Sequence, residues 1–158
     1  MVAPVAGAEQ RFKDLGLALP PVPTPFGAYV EAVQTGNLLF ISGTLPAIGH
    51  EAKFVGRVGE EFDVEEGRRA AHLAALNAVA IAKHHVGSLD RVTRVVRLGV
   101  SIAAAPSFRD HPKVADAASE LLVSIFGQDK LSTRLVLGVA SLPLGMAIEL
   151  ELIFEIAA

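Results

Sequence analysis

The hydrophobic and polar positions of this chain switch repeatedly between helical and strand period, and the switches divide it into elements. Residues Glu9 to Leu15 fit one short helix that ends at Gly16. The prolines of 19–25 then forbid a regular helix and predict an extended surface segment. Ala28–Gln34 and Leu38–Gly43 alternate as strands around Gly36-Asn37, a two-residue loop that suits a tight hairpin. In that register Glu31 faces Ser42 with Tyr29 on the same side, while Val30, Ala32, Leu39 and Ile41 fill the opposite, apolar face. Pro46–Glu60 has no period and reads as a Gly-rich loop.

Helical spacing returns at Asp63-Val-Glu-Glu66, a capping box, and the helix should run to about Val86 with Gly87 as its stop. Ala70, Leu73, Ala74, Leu76, Ala80 and Ile81 form its apolar stripe, and so many small side chains allow close docking on a sheet. Arg91–Ala104 is a Val-rich buried strand, and a second helix lies between Ser107–Asp110 and Gly127. Two apolar strands close the pattern around Leu142-Pro-Leu-Gly145. The expected order is therefore β-β-α-β-α-β-β, one domain over 1–158 with 1–23 as an N-terminal extension.

The last two strands carry the oddity. An arginine, Arg134, opens the first, and Glu149, Glu151 and Glu155 recur in the second. Read as a hairpin turning at Pro143-Leu144, Arg134 stands opposite Ile153 and Glu149 opposite Gly138. Arg134, Val136 and Gly138 would then share a face with the three glutamates, and Leu135 and Leu137 would lie under the helices. Arg134 and Glu149 would sit about 13 Å apart along the strands at ~3.3 Å per residue, sharing a pocket across that gap or meeting through a neighbouring subunit. The plainer alternative is an exposed face with a surface ion pair.

Composition narrows the chemistry. Hydrophobic residues make up 51% against 6% aromatics, so the core is aliphatic. The net charge is −3 and no run of Lys or Arg exists, which argues against a nucleic-acid footprint. Without cysteine there is no disulfide or thiol catalysis. No stretch reads as a secretory signal or a membrane span, so the expectation is a soluble, cytoplasmic protein. The five histidines, His50, His72, His84, His85 and His111, make no metal-ligand pattern, and His84-His85 suits a helix C-terminus. Gly56–Gly59 lacks the Lys-Ser/Thr of a phosphate loop, Ser42 has no placed histidine, and Asp116 and Glu120 read as a solvated helix face.

Tyr29-Val-Glu-Ala-Val, the Gly36–Pro46 block, Ser132-Thr-Arg134 and Ala140-Ser-Leu-Pro143 through Ile148-Glu-Leu-Glu151 together resemble the RidA (YjgF) family. The likeness covers about residues 24–156, and the extension and long loop are similar to a branch often labelled endoribonuclease-like. The resemblance implies a chorismate-mutase-like α+β fold: a mixed β-sheet with two main helices on one face, in a homotrimer with clefts between subunits. It implies an enamine/imine deaminase, a hydrolase that turns 2-imino or enamino acids into 2-keto acids and ammonia, with no metal and no cofactor. By position Arg134 would clamp the substrate carboxylate, Glu149 would activate or orient water, and Tyr29, Ser42 and Gly43 would shape the cleft. The implied partners are a small carboxylate-bearing metabolite and other copies of the chain. The sequence departs from the family pattern at Val136, where a cysteine is common, at Ser132-Thr133 in place of Pro-Ala, and at the helix asparagine, whose nearest counterparts are Ala115 and Asp116. A non-catalytic metabolite-binding trimer is the alternative, and an endoribonuclease a weaker one.

Overall fold

The computed structural model describes residues 1–158. Its elements are α1 (Ala8–Asp14), β1 (Ala32–Thr35), β2 (Leu38–Thr44), β3 (Ala47–Ile48), β4 (Glu51–Ala52), α2 (Val64–Val86), β5 (Val92–Ala103), α3 (His111–Phe126), β6 (Thr133–Val139) and β7 (Ile148–Ile156). β1, β2, β7, β5 and β6 form one five-stranded sheet in that order, and α2 and α3 pack together on one of its faces. β3 and β4 make a small separate hairpin inside the segment that sequence alone reads as an aperiodic loop.

α2 begins where its capping residues say it should. Asp63 accepts from the Glu66 backbone N–H at 2.8 Å, and the Glu66 carboxylate accepts from the Asp63 N–H at 2.9 Å. Ala70, Ala71, Ala74, Ala75 and Ala78 are fully buried, so the helix backbone lies close to the sheet beneath. The one buried amide, Asn77, donates to the carbonyls of Leu45 (2.9 Å) and Ala47 (2.8 Å) and ties the end of β2 to the helix.

The first hairpin keeps the predicted register: Thr35 pairs with Leu38 and Ala32 with Ile41, and the Ser42 N–H donates to the Glu31 carbonyl at 2.9 Å. Regular pairing starts at Ala32 rather than Ala28, because Gly27 and the Pro-rich stretch before it hold the chain outside the sheet. Val30 is therefore 61% exposed instead of core, and on the outer face Val33 and Phe40 are exposed beside the polar residues.

The C-terminal strands do not form a hairpin. β7 runs antiparallel between β2 and β5, whereas β6 pairs parallel with β5 at the sheet edge. Burial explains the sorting. Ile148, Leu150, Leu152, Phe154 and Ile156 are all buried and need a covered central position, while β6 has no fully buried residue. The chain from β5 to β6 passes through α3, a helical crossover that returns the strand parallel. The turn after β6, with Leu144 at φ 57°, belongs to a longer excursion that steps past β5.

That topology reverses the face assignment of β6. Arg134 pairs with Leu98, which in turn pairs with Leu152, and both leucines are buried under the helices. Glu149 pairs with Ser101, whose other neighbour is Leu137. Leu135 and Leu137 thus share the outer face with Glu149 and Glu151, and are 47% and 50% exposed. Arg134, Val136 and Gly138 face the helices.

Candidate active site in two halves

The first half is built around Glu149. Between Ile41–Leu152 and Thr44–Leu150 the β2–β7 register slips, so Ser42 and Gly43 both stand against Glu151. Such a bulge bends the strand and re-aims its side chains. Here it opens a cleft of about 360 Å³ that brings together Tyr29, Ser42, Gly43 and Glu149. Gly43 makes room for the carboxylate where it lies: a Cβ there would fall on Glu149 Oε1 and lie 3.0 Å from its Cδ, so a side chain at 43 would push the carboxylate aside. The carboxylate therefore lies over bare backbone.

Glu149 is half-buried, and burial pushes its carboxyl above the ordinary value, with the neighbouring Glu151 charge adding to the shift. That is the direction expected of a group that exchanges protons near neutral pH. Glu151 itself pairs with Arg97 at 3.3 Å on the open sheet face. Ser42 Oγ donates to the Val30 carbonyl at 2.6 Å, and Tyr29 Oη accepts from the Phe26 N–H at 3.0 Å. Both hydroxyls are thus fixed by backbone.

The second half is built around Arg134, on the opposite face of the same sheet. Its Nη1 donates to Asp116 Oδ1 at 2.7 Å and to Ser119 Oγ at 3.1 Å, both on α3. A little further along β6, His111 lies against Gly138, where a Cβ would collide with the imidazole. Arg134 keeps Nε and Nη2 free of these bonds, a planar edge suited to a carboxylate.

Tyr29, Ser42, Gly43 and Glu149 thus meet in one cleft, and Arg134 does not join them within the chain. Asp116 and Glu120 do lie on an exposed face of α3, and there Asp116 is the arginine's ion-pair partner while Glu120 pairs with Arg68. Sequence reasoning missed Phe26, Leu45 and Pro143, which complete the cleft, and Ser119. Spacing held one usable signal: Asp116 and Ser119 lie three residues apart, on one side of α3. No group of three or more His, Asp or Glu side chains is arranged to hold a metal ion. No helix is long and apolar enough to cross a membrane.

A mixed sheet backed by two helices, with a carboxylate over a glycine bulge, defines a chorismate-mutase-like α+β protein. Comparison with known proteins agrees. Residues 9–156 match the family described as "YjgF/chorismate mutase-like, putative endoribonuclease", and the chain belongs to this YjgF/RidA family. It is 38% identical to Protein TCP17 of Trypanosoma cruzi, over 92% of each chain. It is 28% identical to a 2-iminobutanoate/2-iminopropanoate deaminase of Dermatophagoides farinae, over 89% of this chain and 94% of that one. Among solved structures, a "putative endoribonuclease" from Shewanella oneidensis superposes with a TM-score of 0.91 at 32% identity, covering 96% of this chain and all (100%) of the other.

Proposed function

We propose that this protein hydrolyses reactive 2-imino and 2-enamino acids to 2-keto acids and ammonia, in clefts that two copies of the chain complete together. The observation that carries this reading is the carboxyl of Glu149, half-buried over Gly43 with its proton affinity raised. An imine carbon is already electrophilic, so catalysis needs a positioned water and a group that moves protons. Glu149 takes a proton from water as its oxygen bonds to the C=N carbon and the π pair moves to nitrogen. Returning that proton to nitrogen gives a neutral carbinolamine. Glu149 then takes the carbinolamine O–H proton and delivers it to the nitrogen, so that the C–N bond breaks, ammonia leaves and the C=O forms.

Arg134 supplies what Glu149 lacks, a cationic fork for the substrate carboxylate. Because the two lie on opposite sheet faces, the arginine that serves a given Glu149 comes from a neighbouring copy. The exposed apolar side chains of the outer sheet face, Val33, Phe40, Leu135 and Leu137, support self-association, with a homotrimer as the expected assembly. The resemblance to the mite deaminase supports the reaction class. An RNA substrate fits poorly with a net charge of −3.

The test is ammonia release from iminopyruvate generated in situ by an amino-acid oxidase. The wild-type protein should accelerate it, and Glu149→Gln should lower kcat by about 10²–10⁴-fold. A Glu149→Gln protein as fast as wild type would remove the proton-transfer role. Release that never exceeds the protein-free rate would leave a metabolite-binding protein.

A further inference from the structure

Beyond Glu149, the cleft has a built apolar wall. Phe26, Leu45 and Pro143 line it together with the carboxylate. Phe26 is held in two independent ways. Its ring stacks on His50 with centroids 4.5 Å apart and planes tilted by 31°, and its backbone N–H donates to Tyr29 Oη at 3.0 Å. Leu45 is fixed from behind, because Asn77 Nδ2 donates to its carbonyl at 2.9 Å from the buried face of α2. The wall is therefore in place before any ligand arrives, so ordering it costs binding little.

The polar atoms nearby are partly spent. Ser42 has given its hydroxyl proton to the Val30 carbonyl, and Tyr29 Oη has accepted from Phe26. Phe26, Leu45 and Pro143 offer a ligand only carbon, while the Tyr29 O–H and the Ser42 oxygen keep one polar function each. An apolar side chain leaves water against this wall and packs on a fixed ring, whereas a polar one set against the same three residues loses water without a partner from them. The part of the cleft that one chain encloses is about 360 Å³, already within the roughly 300 to 1,000 Å³ of small-molecule pockets.

We infer that the apolar wall selects 2-imino acids with a branched-aliphatic or aromatic side chain, with Phe26 as the specificity-determining residue and His50 as its positioning partner. The inference rests on the imine-hydrolysis reading for its reaction, and on the wall alone for its selectivity.

Two series test it on the full-length protein. The first compares kcat/KM for imines generated from alanine, leucine and phenylalanine. The second measures binding of the matching keto acids, pyruvate, 4-methyl-2-oxopentanoate and phenylpyruvate. Wild-type protein should favour the larger members by about 10-fold or more, the usual range for added apolar groups in a fitted pocket. Phe26→Ala should erase that preference, lowering kcat/KM for the leucine- and phenylalanine-derived imines about 10-fold more than for the alanine-derived one. His50→Ala should weaken the preference, and His50→Phe, which keeps a stacking ring, should restore it. Phe26→Leu keeps an apolar wall and covers the case in which the alanine variant does not fold.

A flat series in a protein that hydrolyses every imine overturns the wall and spares the reaction. So does an equal loss for all substrates in Phe26→Ala, the outcome expected if Phe26 packs against another copy. Graded keto-acid binding without hydrolysis does the reverse, sparing the wall and removing the reaction. A protein that neither hydrolyses nor binds any member removes both.

Discussion

β6 and β7 are neighbours in sequence and both alternate, yet they meet opposite fates. β7 sits at the middle of the sheet, with five buried side chains beneath it and its glutamates above. β6 sits at the edge, with its leucines exposed and its arginine turned toward α3. The glutamate is held by burial, bulge and glycine. The arginine is held by an ion pair with an acid that any anionic ligand must accommodate. One half is preorganised by packing and the other by charge, so the two should respond differently to mutation, salt and pH.

Complementation gives the largest effect. Glu149→Gln and Arg134→Ala should each be nearly inactive alone. If each site takes its glutamate from one copy and its arginine from another, co-refolding the two variants in equal amounts restores about a quarter of the sites. Ammonia release that stays at the level of the single variants would mean that each chain uses its own pair. Gly43→Ala comes next. Its methyl displaces the Glu149 carboxylate, so kcat should fall about 10-fold or more, since a shift of about 1 Å in a reacting group is costly. Preserved kcat in a folded Gly43→Ala protein would show that the carboxylate needs no open floor.

Asp116→Asn probes the charged half. It keeps a hydrogen-bond acceptor for Arg134 while removing the competing charge, so 2-ketobutyrate should bind a few-fold tighter, in line with about 1 kcal/mol or less for a partly exposed pair. High salt should shrink the gain. Unchanged or weaker binding in calorimetry would assign Asp116 to holding the arginine rather than opposing the ligand.

The smallest effect is on stability. Glu149 binds its proton more tightly folded than unfolded, so stability falls as pH rises through the window between its unfolded and folded pKa values, and stays lower above it. Glu149→Gln should therefore raise Tm at pH 7 more than at pH 4. A larger gain at pH 4 would contradict the burial argument.

These differences show which parts of the molecule could be read beforehand. The β1–β2 register followed from Gly36-Asn37 and the start of α2 from Asp63 and Glu66, because such signals act within a few residues. The cleft group Tyr29, Ser42, Gly43 and Glu149 came from matched motifs, and the structure brings the four together. The pairing of β6 and β7 was not legible. Alternation fixes which residues share a face of one strand, but says nothing about the neighbouring strand. The face of β6 was misread because Leu135 and Leu137 look like core, when the helix side of that strand takes Val136 and the arginine's paired head instead. Phe26 stayed hidden because its place in the cleft depends on a loop with no period of its own.

The central place of β7 also bears on how the chain comes off the ribosome. β2 and β5 are both its neighbours, and both are synthesised well before it. Until residues 148–156 emerge, each waits with an open edge and the nascent sheet stays in two parts. The two halves of the sheet are therefore expected to join only when residues 148–156 take their place between them.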